Sequence, residues 1–216
     1  MIFLSGLPRT GSTLLTSILS QNPDIHAEGN SAVCQLMWDM QQSCLNSEQL
    51  KANRRYWDID AFVSAIPKIY YRDTKRKIIV DKCRSWTLPP NLEMIKKYII
   101  KDPKIIVMTR PVDEIVSSFE RLDRSYTKEN LLIPGSEPIM RSLDGVNYAK
   151  ENNNGEFLFV EYRDLINNPL KTISDIYKFC GWKSFKHNFK KIDSYFKEDD
   201  SIYGIQDMHK IVGAIA

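Results

Sequence analysis

The sequence predicts an α/β fold in which a central parallel sheet is flanked by helices, with an added helical insertion. The first observation is a set of short, almost continuously apolar runs, which lie at residues 2–4, 77–80, 104–108 and 156–160. Runs of this kind are typical of strands buried on both faces of a parallel sheet. The second observation is that helix-forming segments separate the runs, and this alternation favours three layers joined by right-handed crossovers.

The first predicted strand ends in a loop framed by Gly6 and Gly11, and helix-forming residues begin directly at Ser12. A strand, loop and helix in this order seat a phosphate on backbone N–H groups at the helix N-terminus. The two glycines have the spacing of a P-loop, G-x-x-x-x-G-K-[ST], but serine replaces the lysine. The cation, Arg9, lies inside the loop instead, and Thr13 adds a second hydroxyl. The loop therefore suits a phosphate-type group rather than Mg-ATP, although a plain strand-to-helix turn needs the same glycines.

The segment at residues 30–72 differs from the rest of the chain, because it is rich in Trp, Tyr and Met and contains no strand-type run. This pattern predicts a helical insertion that covers the mouth of the sheet, where a substrate can bind. Further helices are predicted at residues 12–21, 91–100, 112–124, 147–150 and 169–180, and a loop at residues 126–137.

A second ligand-binding signal follows the run at residues 104–108. Pro111 is placed to start a helix, and Arg110 falls at the carboxyl end of the strand, the side on which open α/β sheets bind ligands. Ser118 lies eight positions after Arg110, about two helical turns along, so both side chains can face one ligand group. A guanidinium suits a phosphate because its planar fork offers paired N–H donors.

The composition limits the classes of protein to consider. A length of 216 residues with 43% apolar residues predicts one domain, spanning residues 1–216, with a sizeable core. The net charge of +3 argues against a nucleic-acid binder. No apolar stretch approaches the roughly 20 residues that a membrane span needs, and the N-terminus has no signal-peptide pattern. We therefore expect a cytoplasmic protein.

The cysteines are scattered and form no C-x-x-C pair; they are Cys34, Cys44, Cys83 and Cys180. This spacing argues against a zinc site and favours buried free thiols in a reducing compartment.

The loop at residues 6–15 resembles the loop with which sulfotransferases bind the 5′-phosphosulfate of PAPS (3′-phosphoadenosine 5′-phosphosulfate). Its Pro8-Arg9 pair and double hydroxyl most resemble the tyrosylprotein and the bacterial or viral branches of that family. Arg110 and Ser118 resemble the family's 3′-phosphate site, since they have the same spacing. The resemblance implies a P-loop-like three-layer fold and the cofactor-binding residues Pro8, Arg9, Thr10, Gly11, Ser12, Thr13, Arg110, Ser118 and Tyr162.

The segment at residues 157–169 carries the third part of the resemblance. It is similar to the family's late strand, which a tyrosine-containing turn and a proline-started helix follow. The resemblance places Tyr162 near the adenine, and core packing is the alternative for this side chain.

The resemblance also implies the catalytic residues. Glu28 is the expected base, as in the tyrosylprotein branch, and His26 is the alternative, as in the cytosolic branch. The pattern departs from the tyrosylprotein branch, because Glu28-Gly29-Asn30 stands where that branch has Gly-Glu-Glu. Lys82 is expected beside the transferring sulfate and Arg9 beside the leaving phosphate; a solvated surface position is the alternative for Lys82.

The function that the resemblance implies is sulfuryl transfer from PAPS to a hydroxyl, or alternatively an amine, of an unidentified acceptor, which is a small molecule, a sugar or a peptide. PAPS and its product PAP (adenosine 3′,5′-bisphosphate) are the expected partners, and no metal is required. The alternatives are an atypical P-loop kinase and a catalytically silent nucleotide-binding module. Ser201 and Lys210 are candidates for a late contact to the nucleotide.

Overall fold

Five parallel strands form one sheet at the centre of the structure, a computed structural model that describes residues 1–196, 198–204 and 208–215. The strands follow the order β2-β3-β1-β4-β5. Their bounds are Ile2–Gly6 for β1, Ile25–Ala27 for β2, Ile78–Lys82 for β3, Ile105–Thr109 for β4 and Phe157–Glu161 for β5.

Helices fill the connections between the strands. The bounds are Ser12–Leu19 for α1, Val33–Asn46 for α2, Glu48–Ala52 for α3, Trp57–Tyr70 for α4, Pro89–Tyr98 for α5, Val112–Leu122 for α6, Lys128–Leu131 for α7, Met140–Glu151 for α8, Tyr162–Asn167 for α9 and Pro169–Cys180 for α10. A short 3₁₀ helix, Asp200–Tyr203, lies in the C-terminal segment. None of the helices in the described ranges is long and apolar enough to cross a membrane.

The core lies on both faces of the sheet, because alternate strand residues enter different halves of it. Phe3 and Val107 pack in the half that holds side chains of α2, α4, α5, α6 and α8. Leu4 and Ile106 pack in the half that holds side chains of α1 and α10. The two halves cover opposite faces of a sheet in which four of the five residues of both β1 and β4 are buried, and this confirms the predicted three-layer α/β fold with a parallel sheet.

The structure differs from the predicted elements in a few places. Strand β2 has three residues, and its sequence, Ile-His-Ala, gives no apolar run that would predict it. Strand β3 continues two residues beyond its apolar part, because Asp81 and Lys82 are both buried. A one-turn helix, α7, lies in the predicted loop at residues 126–137, and α8 begins at Met140 rather than at residue 147.

The chain order reverses at the central strand β1, which pairs with β3 on one side and with β4 on the other. Open α/β sheets bind ligands in the crevice outside the carboxyl ends of their strands at such a reversal. The predicted loop at residues 6–15 follows β1, and Arg110 comes directly after β4. The fold therefore brings the two ligand-binding signals to the same edge of the sheet.

Candidate active site

A pocket of about 620 Å³ lies at this edge of the sheet. Its volume falls within the range of small-molecule and cofactor sites. Its walls come from the loop after β1, from the residues that follow β3 and β4, from α6 and from the C-terminal segment. The residues that line it include Pro8, Arg9, Gly11, Ser12, Thr13, Asn30, Lys82, Cys83, Arg84, Ser85, Arg110, Ser118, Arg121, Tyr162, Met208 and Lys210.

The loop after β1 turns tightly at Gly11, which has φ 76°. A Cβ atom at this position would lie 2.7 Å from Cδ2 of the Tyr162 ring, so the loop and the ring approach each other as closely as glycine permits. Thr10 is fully buried, and its hydroxyl donates to the Leu7 carbonyl at 2.7 Å. Thr10 therefore stabilises the conformation of the loop and does not line the pocket. Pro8 does line the pocket.

Helix α1 begins at the pocket wall. Gly11 is its N-cap residue and provides no side-chain hydrogen bond to the first turn. The first N–H groups of a helix have no partner within the helix and carry the positive end of its dipole. Ser12 and Thr13 line the pocket beside these groups and add two hydroxyl donors. This end of the pocket is suited to a phosphate or sulfate group.

Arg9 links the loop to two other walls of the pocket. Its backbone is in the left-handed region, with φ 58°, although it is not a glycine. Its Nε donates to Ser118 Oγ at 3.2 Å, and Nη1 donates to the Met208 carbonyl. Burial and then the nearby charge of Arg110 lower the pKa of Arg9. Two guanidinium groups held together in this way favour an anion between or beside them.

Arg110 bridges the two predicted phosphate sites. Its Nη1 donates to the Arg9 carbonyl at 3.0 Å, and its Nε donates to Glu114 Oε2 at 2.9 Å. The guanidinium carbon lies 4.5 Å from the centre of the Tyr162 ring, which is a cation–π contact. Arg110 therefore contacts Tyr162 directly, and Arg9 connects it to Ser118, which lines the same pocket.

Positive charge accumulates around the pocket. Besides Arg9 and Arg110, cationic side chains line it at Lys82, Arg84, Arg121 and Lys210. The donor set consists of guanidinium, ammonium, hydroxyl and backbone N–H groups. Donors of this kind fit a ligand with several anionic groups, such as a nucleotide with a phosphate at each end.

Lys82 is 5% exposed at the end of β3. Its Nζ donates to Asn30 Oδ1, and Asn30 Nδ2 in turn donates to Glu198 Oε2 at 3.0 Å. Burial, assisted by the charge of Arg84, lowers the pKa of Lys82 to about 8. A surface position is therefore wrong for this lysine, which lies in the wall of the pocket.

The neighbouring Asp81 has a different role. Its carboxylate accepts hydrogen bonds from Ser31 Oγ at 2.7 Å, Tyr71 Oη at 2.8 Å and Trp86 Nε1 at 2.6 Å. Burial raises the pKa of Asp81, while these three donors oppose the rise. Asp81 therefore joins β3 to the helical insertion.

The two candidate bases lie together beside this pocket but outside its wall. His26 Nε2 and Glu28 Oε1 are 2.7 Å apart, with exposed side-chain fractions of 14% and 13%. Ala27 pairs with Val80 in the sheet, so Glu28 follows β2 at the level of Asp81, one residue short of Lys82. Asn30, two residues after Glu28, does line the pocket.

The C-terminal segment contributes residues that the sequence reasoning missed. Met208 and the residues up to Val212 line the pocket. Lys210 was a candidate and lies in the wall, whereas the Ser201 hydroxyl bonds to Asp199 Oδ1 at 2.5 Å and lies outside it. A carbonyl contact such as that of Met208 with Arg9 depends on no side-chain type, so no sequence pattern signals it.

The helical insertion carries an apolar groove of about 580 Å³ between α2 and α4. Leu36, Met40 and Ile69 line it together with Tyr70. The Tyr70 hydroxyl accepts the Ala32 N–H at 3.4 Å. The groove is thereby joined to the segment at residues 30–31, which forms part of the pocket wall.

Within the described part of the chain, no three or more His, Cys, Asp and Glu side chains lie close enough together to hold a metal ion.

Comparisons with solved structures identify proteins to which most of this chain is similar in fold. The sulfotransferase domain of the Synechococcus PCC 7002 olefin synthase superposes with a TM-score of 0.61 at 21% identity, over 86% of this chain and 74% of that one. The sulfotransferase domain from the curacin biosynthetic pathway gives 0.59 at 16% identity, over 86% and 75%. A sulfotransferase from Alicyclobacillus acidocaldarius gives 0.58 at 15% identity, over 94% and 87%. At these identities the likeness is one of fold.

The comparison with curated proteins gives no match. The sequence model of the sulfotransferase family, in contrast, matches residues 2–186. The match begins at β1 and continues beyond α10, so it contains the loop after β1, Lys82, Arg110 and Tyr162. With most of the sequence matched in this way and the parallel sheet of the solved domains reproduced, the chain belongs to the sulfotransferase family.

Proposed function

We propose that this protein moves the sulfuryl group of PAPS to a hydroxyl, or an amine, of an acceptor molecule and releases PAP. The observation that carries the proposal is the pocket itself, which has two sets of anion-binding groups. One set belongs to the loop after β1 and the other is the pair Arg110 and Ser118, and a hydrogen bond from Arg110 to the Arg9 carbonyl connects them. PAPS has anionic groups at both its 5′ and 3′ positions, and it supplies an activated sulfuryl group when bound.

The loop after β1 is proposed to hold the 5′ end of the nucleotide. The N–H groups at the start of α1 and the hydroxyls of Ser12 and Thr13 would donate to phosphate oxygens. Arg9, already partly desolvated, would neutralise the leaving phosphate. Because its guanidinium also donates to Ser118 and Met208, its orientation is fixed before the ligand arrives. Such preorganised charge is the largest contribution in many group transfers.

The 3′-phosphate is assigned to Arg110 and Ser118, and the adenine to Tyr162. Arg110 is held on one side by Glu114 and on another by the Arg9 carbonyl. The Tyr162 ring packs against both Gly11 and Arg110. One aromatic side chain therefore couples the position of the 5′ loop to that of the 3′ site.

Lys82 and Glu28 are proposed to act at the transferring group. The acceptor oxygen forms a bond to sulfur as the bond from sulfur to the 5′-phosphate oxygen breaks, and the acceptor proton passes to a base. The Lys82 ammonium, which donates a hydrogen bond to Asn30, would neutralise the charge that develops on the oxygen between sulfur and the 5′-phosphate. Glu28 is proposed as the base because it follows β2 at the same edge of the sheet, and His26, its hydrogen-bond partner, is the alternative.

The acceptor is proposed to enter from the helical insertion. The groove between α2 and α4 is joined to the pocket wall through Tyr70 and Ala32. Its apolar lining would hold the non-reacting part of an acceptor, while the hydroxyl or amine approaches Lys82 and Glu28.

The proposal is tested by calorimetric titration of the protein with PAP, and separately with ATP and Mg²⁺. We expect PAP to bind without added metal, and Arg110→Ala to weaken its binding at least tenfold, since a charged phosphate contact contributes about 1.5–3 kcal/mol. Arg55→Ala is the matched control, because Arg55 also pairs with a nearby carboxylate but lies outside the pocket.

The two titrations separate the proposal from a kinase, and a sulfuryl-transfer assay separates it from a silent nucleotide-binding module. Binding of Mg-ATP in place of PAP would contradict the sulfotransferase assignment and favour a kinase. A protein that binds PAP but transfers no sulfuryl group to any class of hydroxyl acceptor would instead be a nucleotide-binding module.

A further inference from the structure

Two cysteines that lie far apart in the sequence share one hydroxyl partner at the wall of the pocket. Cys83 Sγ lies 3.2 Å from Ser85 Oγ, and Cys34 Sγ lies 3.9 Å from the same oxygen. Each of the two thiols is also the largest influence on the pKa of the other. These contacts bring α2 and the segment after β3 together through two sulfur atoms.

The backbone holds this arrangement in place. The Ser31 N–H donates to the Lys82 carbonyl at 2.9 Å, which joins the segment before α2 to the end of β3. Cys34 lies three residues after Ser31, and Cys83 comes directly after Lys82. Because both cysteines are close to a fixed backbone contact, their sulfur atoms are neighbours through the fold and not through a flexible loop.

The two thiols differ in their access to solvent. Cys34 is 4% exposed in the core, whereas Cys83 is half-buried and lines the pocket. The Cys34 thiol lowers the pKa of Cys83, burial opposes this, and the Ser85 hydroxyl, which lies 3.2 Å away, lowers the pKa further. The same interaction, together with burial, raises the pKa of Cys34. An accessible, acidic thiol beside a buried one is the arrangement of an attacking and a resolving cysteine.

The remaining cysteines lack these features. Cys44 is buried, with the Met40 sulfur 3.8 Å away. Burial raises the pKa of Cys180 to about 12. Neither of them lines the pocket.

We propose that Cys34 and Cys83 form an intramolecular disulfide when the protein meets a hydroperoxide, and that the pocket wall is thereby open to redox modification. The Cys83 thiolate attacks the terminal O–H oxygen of the peroxide, an S–O bond forms as the O–O bond breaks, and the other oxygen leaves as hydroxide or alkoxide, which takes up the proton that the Cys83 thiol released. Cys83 is then a sulfenic acid. The Cys34 sulfur attacks the Cys83 sulfur, the S–O bond breaks, and the hydroxyl leaves as water with the Cys34 proton. Two thiols lose two electrons and the peroxide gains them.

A part of this inference rests on the proposed function. Cys83 lines the pocket between Lys82 and Arg84, so a nucleotide bound there would shield its sulfur from peroxide. The cross-link would also tie the start of α2 to the residue after Lys82. We therefore expect bound PAP and oxidation to oppose each other.

The test is peptide mapping of the peroxide-treated wild-type protein under non-reducing conditions. Chymotrypsin is the suitable protease, because cleavage after Trp38 separates Cys34 from Cys44. We expect a peptide linked through Cys34 and Cys83, which dithiothreitol separates, and an intact mass lower by two hydrogen atoms. Cys83 carried on to sulfinic acid beside a free Cys34 thiol, or thiols left unreacted by peroxide, would overturn the proposal.

Cysteine variants serve as controls for the peptide mapping, and added PAP tests whether peroxide reaches Cys83 through the pocket. Cys44→Ser and Cys180→Ser should leave the cross-link unchanged, and Cys34→Ser should leave a Cys83 sulfenic acid that dimedone traps. PAP at ten times its Kd should slow cross-linking about tenfold, in proportion to the free protein. Unchanged cross-linking in the presence of bound PAP would contradict access through the pocket. Absence of PAP binding by calorimetry would count against the proposed function alone, since the cross-link needs no nucleotide.

Discussion

Lys82 is a buried cation in the wall of the pocket, with 5% of its surface exposed. Its position after an apolar run predicts a side chain near the carboxyl edge of the sheet, and the structure places it there. Its hydrogen bond and its pKa, in contrast, depend on Asn30 and Arg84, and on the side chain of Glu198 in the C-terminal segment, which no local pattern connects to it. The chemistry of the lysine is therefore set by contacts between distant segments.

The first prediction concerns the pH dependence of transfer. Burial lowers the pKa of Lys82 to about 8 from an ordinary 10.5, so the ammonium loses its proton as the pH rises through about 8. If that charge assists transfer, kcat/KM, which reports groups of the free enzyme, falls about tenfold per pH unit above this value. Lys82→Arg should abolish the fall, because a guanidinium stays charged.

The neighbouring thiol provides the control for this experiment. Cys83→Ser removes the adjacent ionisable group and should leave the fall in kcat/KM above pH 8 unchanged. An identical descending limb in Lys82→Arg would contradict the assignment to Lys82.

The second prediction distinguishes the two candidate bases. Glu28→Gln keeps the size and the hydrogen bonding of the side chain but cannot take a proton at neutral pH. We expect kcat to fall about 10²–10⁴-fold, the usual range for a general base, with unchanged PAP affinity. His26→Asn should lower kcat less than tenfold. The reverse result, measured with the same acceptor, would make His26 the base.

The loop after β1 is the element that the sequence predicts best. Its glycine spacing, its internal arginine and the hydroxyls that follow are local features, and local features are visible in a sequence. The structure adds that Thr10 faces the loop interior and that Tyr162, far along the chain, packs on Gly11. The orientation of Thr10 depends on a hydrogen bond to a backbone carbonyl, and the contact of Tyr162 with Gly11 depends on tertiary packing, so no local sequence pattern predicts either of them.

The third prediction tests this contact through Gly11→Ala. A side chain at φ 76° costs about 1–2 kcal/mol in backbone strain, and here the new methyl also meets the Tyr162 ring at 2.7 Å. We expect lower stability to urea and weaker PAP binding. Gly135→Ala is the matched control, since Gly135 has φ 73° and no atom within 4 Å of the added Cβ. Equal losses of stability and binding in the two variants would show that the ring contact is unimportant.

Among the other elements, apolar runs of three or four residues are sufficient to predict β3, β4 and β5. Strand β2 escaped prediction because three residues with a central histidine carry no periodicity. Its hydrogen bonds to β3 exist because the first crossover returns the chain to that edge of the sheet. The position of Glu28 follows from β2, and this is why its surroundings could not be predicted.

At the scale of the whole molecule, the pocket depends on the order of the strands. The sheet order β2-β3-β1-β4-β5 places the loop of β1 between Lys82 on one side and Arg110 on the other. The family resemblance predicts these residues as a set. The composition alone, with a net charge of +3, indicates only that the protein can bind an anionic ligand. The C-terminal segment closes the pocket through Met208, a contact that only the folded chain reveals.

The fourth prediction follows from the positive charges that this topology concentrates. Anionic ligands relieve the repulsion between Arg9 and Arg110, so PAP should stabilise the folded protein more than AMP, which lacks the 3′-phosphate. At 100 times its Kd, PAP adds about 2.7 kcal/mol, which corresponds to a rise in Tm of roughly 5–11 °C for a chain of this size. Differential scanning fluorimetry with EDTA present measures the shift. In Arg110→Ala the shift with PAP should fall to that with AMP, because the contact to the 3′-phosphate is lost. Equal shifts with PAP and AMP in the unaltered protein would mean that Arg110 and Ser118 do not bind a 3′-phosphate. A shift that requires Mg²⁺ would contradict the expected binding of PAP without metal.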